Sequence, residues 1–198
     1  MRILQIGKYY PPVKGGMESV LRDLCEGLLE AGHEVTALVA SSDGQRRVEA
    51  ILNGRGQLIR CAAAGVVASQ PLTWGLLHEL RVVIDTWRPD IVQIHLPNPL
   101  AAACLMLARS RLPAGTPVTV WHHADVARQR LGRLFVRPLS RRLLASCNGI
   151  CVSSDQLRDT SEELAPVRPK VTVIPFGIDS DRWTVGDPAG SEAFLFVG

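Results

Sequence analysis

Short runs rich in Val, Ile and Leu alternate with longer stretches of helical periodicity along almost the whole chain, and this alternation restricts the fold more than any other feature. The run "RILQIG" has the length and composition of a strand, and residues 16–31 repeat apolar side chains at helical spacing up to Gly32, which suits a C-terminal glycine cap. "HEVTALVA" reads as the second strand, and a hairpin-like stretch containing Gly and Arg leads into an extended "QLIRCAA". Residues 72–87 are expected to be helical, with Pro89 opening a new unit. There follow a strand in "DIVQIH", a helix over 100–111, a strand in "PVTVWH", a helix over 128–147, a strand in "GICVSS", a helix over 155–164 and a strand in "KVTVIP". Strands that lack strict polar–apolar alternation and are separated by helices imply a mainly parallel sheet covered on both faces. The expected fold class is therefore α/β, a Rossmann-like doubly wound domain.

The chain has 198 residues, 46% hydrophobic and 21% charged, enough for one full domain and the beginning of another. A formal charge of +3 is too small to argue for nucleic acid as a partner. Five scattered cysteines, Cys25, Cys61, Cys104, Cys147 and Cys151, sit mostly among apolar neighbours, as reduced cysteines do in a cytoplasmic protein. Cys147 and Cys151 have no second Cys or His pair at zinc spacing, so no metal is expected. Lys8, Lys14 and Pro11-Pro12 interrupt the N-terminal region in a way a secretory signal does not tolerate. The longest apolar stretch, "PLAAACLMLA", is shorter than the roughly 18 residues a membrane span needs.

In doubly wound sheets ligands lie beyond the C-terminal ends of the strands. That rule selects the segment from Gly7 to Gly16, then His95 to Asn98, His122 to Asp125, Ser153-Ser154, and Pro175 to Asp179. The first loop, "KYYPPVKGGMESV", places Gly15 and Gly16 at the start of a helix. There, bare backbone and unpaired N–H groups favour an anion such as a phosphate, although a glycine pair also serves simply to turn the chain. A dinucleotide-binding dehydrogenase is disfavoured, because this loop lacks G-x-G-x-x-G and the second strand ends in "VASSDG" with its acid only at Asp43.

The segments "ILQIGKYYPPVKGGMES", "LLEAGHEVTAL", "RPDIVQIHLPNPLA", "PVTVWHHADVARQ", "ICVSSDQL" and "KVTVIPFGID", in this order, resemble the N-terminal half of the retaining GT-B glycosyltransferases of family 4. The resemblance spans nearly the whole chain. It implies two Rossmann-like domains facing each other across a cleft, the first holding the acceptor and the second most of a nucleotide-sugar donor, with no cofactor and no metal. It also implies that the Gly15–Gly16 loop reaches toward the donor phosphates and sugar. A histidine near the donor's anomeric carbon is implied within an H-x-D pattern after the fifth strand, and here two adjacent histidines compete. Counting back from Asp125 selects His123, which is favoured; counting forward from Trp121 selects His122. Asp125 is then expected to orient the histidine or to bind acceptor.

Glu18 lies in the first helical turn, where complementing the dipole is its simplest role and acceptor binding the alternative. His95 and Asn98, in "IHLPNP", are assigned to acceptor binding, with an N-cap role as the competing explanation for Asn98. Arg128, where the basic helix begins, joins the acceptor set. That helix carries Leu131, Leu134, Phe135, Leu139 and Leu143 on one face and Arg130, Arg133, Arg137 and Arg141 beside it. Pro138 is expected to kink or break it. A basic amphipathic stretch over residues 130–142 suits a solvated face, or peripheral contact with anionic lipid at the cytoplasmic side of a membrane.

The expected boundaries are a GT-B N-terminal domain over residues 1–178, a polar linker over 179–192, and in "AFLFVG", residues 193–198, the first strand of a donor-binding domain that is missing. The function implied is transfer of a sugar from a nucleotide-sugar donor to a polysaccharide, lipid-linked glycan or glycoconjugate, with this chain inactive alone. Two alternatives stand beside it. One is a non-catalytic binding domain or subunit that needs a C-terminal partner. The other, a GT-B sugar-nucleotide epimerase, fits "VIPFGID" and "HHADV" less well.

Overall fold

In the computed structural model the described residues are 1–67, 70–125 and 130–177, with 130–135 described by backbone alone. Strand β1 (Arg2–Ile6) runs into helix α1 (Gly16–Glu30) and β2 (Glu34–Ala40), and the hairpin β3 (Arg47–Ile51) and β4 (Gly56–Cys61) follows. A two-residue pairing of β5 (Val66–Val67) with β6 (Gln70–Pro71) precedes α2 (Leu76–Trp87). Then come β7 (Ile91–Leu96), α3 (Pro99–Ala108), β8 (Val118–His122), α4 (Arg130–Ser146), β9 (Gly149–Val152), α5 (Asp155–Thr160) and β10 (Val171–Val173).

Eight of these strands form one sheet in the order β10-β9-β8-β7-β1-β2-β4-β3, in which only the β3–β4 pair is antiparallel. The expected mainly parallel α/β sheet is present. From β1 the chain moves outward through β2 to β4, then returns to the other side of β1 and moves outward again through β7, β8, β9 and β10. The reversal lies between β1 and β7, the place where such sheets open a crevice at their C-terminal ends.

Strand pleating divides the interior in two. Leu4 and Ile6 of β1, Leu38 of β2, Val92, Ile94 and Leu96 of β7, and Val118 and Val120 of β8 pack against α2, α3 and α4. On the opposite face, Val35, Ala37 and Val39 of β2 and Leu58 of β4 meet Leu21, Cys25 and Leu29, which line one side of α1 at four-residue spacing. The middle helix of the larger layer, α3, is apolar almost all round, and Ala101, Ala102, Cys104, Leu105 and Ala108 are all buried. The end of α1 is closed by hydrogen bonds from the Gly32 N–H to the Leu29 carbonyl (3.1 Å) and from the His33 N–H to the Leu28 carbonyl (3.0 Å), with Gly32 at φ 84°. This is the paired bonding that a left-handed glycine cap allows.

Three local expectations are corrected. The helix expected over 72–87 starts only at Leu76, because the Leu72 carbonyl, which a helix would offer to the Leu76 N–H, instead accepts from the Ala64 N–H at 2.9 Å beside the small β5–β6 hairpin. The helix expected over 155–164 stops at Thr160, and a 3-10 turn over Ala165–Lys170 completes the connection. Pro138 neither ends nor divides α4, which runs through it as one helix. The linker and the final strand proposed for residues 179–198 lie outside the described residues.

Candidate active site at the topological switch point

Alternation along β7 and β8 chooses the residues of the crevice. Gln93 and His95 point to the face opposite Val92, Ile94 and Leu96, and Trp121 lies beside His95 in register. One residue beyond β8, His123 joins this group. Its backbone N–H donates to the Leu96 carbonyl at 3.0 Å, and its Nε2 lies 3.0 Å from His95 Nδ1. The His95 Nε2 in turn lies 3.1 Å from Gln5 Oε1, and the Gln5 amide nitrogen donates to Gln93 Oε1 at 3.1 Å. Four side chains from three elements thus form one hydrogen-bonded chain. Trp121 and Phe176 stack around it, each 6.0–6.2 Å from the His123 ring.

Position within this chain decides exposure and charge. His95 is 1% exposed, whereas His123 is half-buried. Burial pushes the His95 imidazole down to about 3, helped by the neighbouring His123, and pushes His123 down to about 4, helped by His122. Both rings are therefore neutral at pH 7.

His122 faces the other way, into the α2–α4 layer, and is fully buried. Its Nε2 lies 2.9 Å from Asp125 Oδ1, and Asp125 also accepts the Ser161 hydroxyl and, at 3.1 Å, the Glu162 N–H. Burial alone would raise the Asp125 carboxyl, but these hydrogen bonds and the nearby His122 bring it down to about 2. The expectation that Asp125 orients His123 is thereby corrected. After β8 the chain turns at Ala124 and returns Asp125 beneath His122, where it ties β8 to the segment after α5. His122, Asp125 and Glu163 bring ligand-type atoms within 4.8 Å of one another.

His95 and Asn98, assigned to acceptor binding, both have partners within the protein, and for Asn98 these include the N-cap alternative. His95 stands behind His123, not in front of it. Asn98 is 5% exposed and caps α3 through the Ala101 N–H at 3.3 Å, while its amide nitrogen donates to the Gly7 carbonyl at 3.1 Å. It is a clasp between the two strands that flank the switch point. Arg128 lies outside the described residues.

Gly15 and Gly16 stand where the crevice meets α1. Gly15 precedes the helix and has an extended backbone (φ 168°), which any residue can adopt. A Cβ there would lie 2.1 Å from a carboxylate oxygen of Glu18, so any larger residue would displace the end of that side chain. Glu18 is 8% exposed and folds back over the helix start, as its dipole-complementing role demands. A Cβ on Gly16 would meet nothing within 4 Å, so the protein leaves room beside the unpaired N–H groups of the first turn. The loop itself is held by Arg60, 5% exposed, whose guanidinium donates to the carbonyls of Tyr10 (3.3 Å) and Pro11 (2.6 Å) and pairs with Glu49 (2.8 Å). Arg60, Gln5 and Gln93 escaped the sequence-based assignment. A charged or amide side chain in an otherwise apolar strand was their one visible signal.

In a doubly wound sheet the crevice beyond the C-terminal strand ends at the switch point is where ligands bind, and the loop before α1 and the end of β8 both lie at that end of the sheet. Residues 14–182 match the family described as Glycosyltransferase Family 4, and the chain belongs to that family. It is 33% identical to O-antigen chain mannosyltransferase C of Escherichia coli and 29% identical to D-rhamnosyltransferase WbpZ of Pseudomonas aeruginosa, in each case over all of this chain. It covers 54% and 52% of those proteins, so the chain spans about half the length of the curated relatives it matches. Among solved structures, sucrose-phosphate synthase from Thermosynechococcus elongatus superimposes with a TM-score of 0.69 at 14% identity, over 91% of this chain and 49% of that one. Anabaena Alr3699/HepE in complex with UDP superimposes at 0.57, also at 14% identity, over 91% of this chain and 45% of that one. These two likenesses are of fold.

Proposed function

We propose that this chain is the acceptor-side part of a glycosyltransferase that moves a sugar from a nucleotide-sugar donor to a glycan or lipid-linked acceptor with retention. The observation that carries the proposal is His123, neutral, half-buried and supported from behind by His95, and stacked with Trp121 and Phe176, which line one cavity with Val20, Asp23 and Leu24 of α1. A neutral imidazole offers a polar contact to sugar hydroxyls without a charge that would compete for the departing diphosphate. The first-turn N–H groups at Gly16 and beyond provide fixed donors where negative charge builds up on the leaving group. The mannosyl- and rhamnosyltransferase names of the relatives, and the UDP bound to Anabaena HepE, support a nucleotide-sugar donor and a glycan acceptor.

The roles proposed are contact with the transferred sugar for His123, approach to the donor phosphates for Gly15 and Gly16, and positioning for His95 and Asn98. No cofactor or metal is needed by this chemistry. Work at the cytoplasmic face of a membrane belongs to the same proposal and rests on exposed Arg141 and Arg142 of α4, since Arg137 is occupied by an ion pair with Glu162. No helix among the described residues is long and apolar enough to cross a membrane.

The test is sugar transfer from a panel of radiolabelled nucleotide sugars by the full-length protein, by this chain alone, and by a full-length His123→Ala variant. Transfer by the full-length protein, with little or none from the other two, is the expected result. Undiminished transfer by the folded His123→Ala variant would remove the histidine from the site.

A further inference from the structure

The hydrogen-bonded chain behind His123 has a direction, and the direction determines what His123 can present to a ligand. A neutral imidazole carries one N–H and one bare nitrogen. In the arrangement seen, the Gln5 amide nitrogen donates to Gln93 Oε1, which leaves Gln5 Oε1 as an acceptor facing His95 Nε2 at 3.1 Å. His95 must then carry its hydrogen on Nε2 and have a bare Nδ1. That bare Nδ1 faces His123 Nε2 at 3.0 Å, so the hydrogen of His123 lies on Nε2 as well. The nitrogen left over, His123 Nδ1, makes no hydrogen bond within the described residues and carries a lone pair.

We propose that Gln5, through His95, is a positioning residue that fixes the tautomer of His123 and makes its Nδ1 a hydrogen-bond acceptor, one that reads a hydroxyl hydrogen of a bound sugar. The last link, to a sugar, rests on the function proposed above. The tautomer does not. The elements that enforce the arrangement are rigid: Gln5 and Gln93 are register partners on adjacent parallel strands, and Gln5 and His95 are each 1% exposed. Trp121 lies nearly parallel to the His95 ring, at an interplanar angle of 7° and 6.2 Å between centroids, which restrains the plane of that ring. Two neutral rings in contact also avoid the charge repulsion that two imidazolium ions would suffer. A site that accepts from a hydroxyl discriminates against a sugar lacking that hydroxyl, since the Nδ1 lone pair then loses its partner.

Because every link follows from the orientation of the Gln5 amide, rotating that amide reverses the whole chain and would give His123 a bare Nε2 and a protonated Nδ1. The deciding experiment is a long-range proton–nitrogen correlation spectrum of this chain labelled with nitrogen-15 in histidine, at pH 7, with the His123 signals assigned by their loss in His123→Ala. A single neutral tautomer protonated on Nε2 is expected, and its two nitrogen shifts should move toward each other in Gln5→Leu, where the acceptor for His95 is gone. A proton on Nδ1, a doubly protonated ring, or an unchanged tautomer in folded Gln5→Leu would each overturn the proposal. A merely space-filling Gln5 would leave those shifts where they are. Failure of the transfer assay leaves this measurement intact, and the reverse also holds, so the relay and the enzymatic function fail separately.

Discussion

His122 and His123 are neighbours in the chain with opposite environments, and substitution should separate them. His123→Ala removes a half-buried ring and is expected to lower the proposed sugar transfer by about two orders of magnitude or more, with a small change in the urea midpoint. His122→Ala empties a fully buried position and strips Asp125 of a partner, so a stability loss of about 2–4 kcal/mol should appear in the same urea titration. Acid tests the pair formed by His95 and His123. Between the ordinary imidazole value of 6.5 and the folded values of about 3 and 4, the unfolded chain binds two protons that the native state does not. Their contribution is fully present above pH 6.5 and is lost as the pH falls, with a slope approaching about 2.7 kcal/mol per pH unit. Urea unfolding at successive pH values from 8 to 4.5 reads that slope; a flat profile would mean both rings are hydrated. The difference between the histidines was legible in strand periodicity, since His122 is in phase with Val118 and Val120, and His123 with Thr119 and Trp121. The partner of Asp125 was not legible, because it depends on a turn after the strand and on Ser161, 36 residues away.

At the scale of elements, the loop before α1 is held in place from a distance. Gly7 is close-packed, as a Cβ there would lie 2.3 Å from Leu21 Cδ2, and Leu21 is 1% exposed and has no room to retreat. Gly7→Ala should therefore cost about 1–3 kcal/mol by overpacking, seen as a lowered thermal midpoint. Arg60→Met would release the carbonyls of Tyr10 and Pro11, and hydrogen exchange is expected to quicken across residues 8–15 while the β1 and β7 amides stay protected. Equal exchange in both proteins would show that the loop does not depend on Arg60. Asn98→Ala should lose about 1–2 kcal/mol by uncapping α3 and unclasping Gly7, read as a lowered thermal midpoint. Strand and helix periods gave the elements away because each buries one face. The clasps between them did not show, since one polar side chain in a strand looks the same whether it holds a loop or faces a ligand.

For the whole molecule, sheet order decides where chemistry can occur, and order depends on contacts far apart in sequence. Alternating strands and helices announce a parallel sheet, and its order then brings the loop of Gly15 and Gly16 and the end of β8 at His123, more than a hundred residues apart, to the same end of the sheet. The same order leaves β3 as an outer strand, antiparallel to β4, with Arg47 and Val48 exposed and Glu49 turned to pair with Arg60. An outer strand is an open row of backbone donors and acceptors to which another chain can attach. Arg47 and Glu49 raise the cost of such attachment, because pairing at this rim would draw their charges out of water.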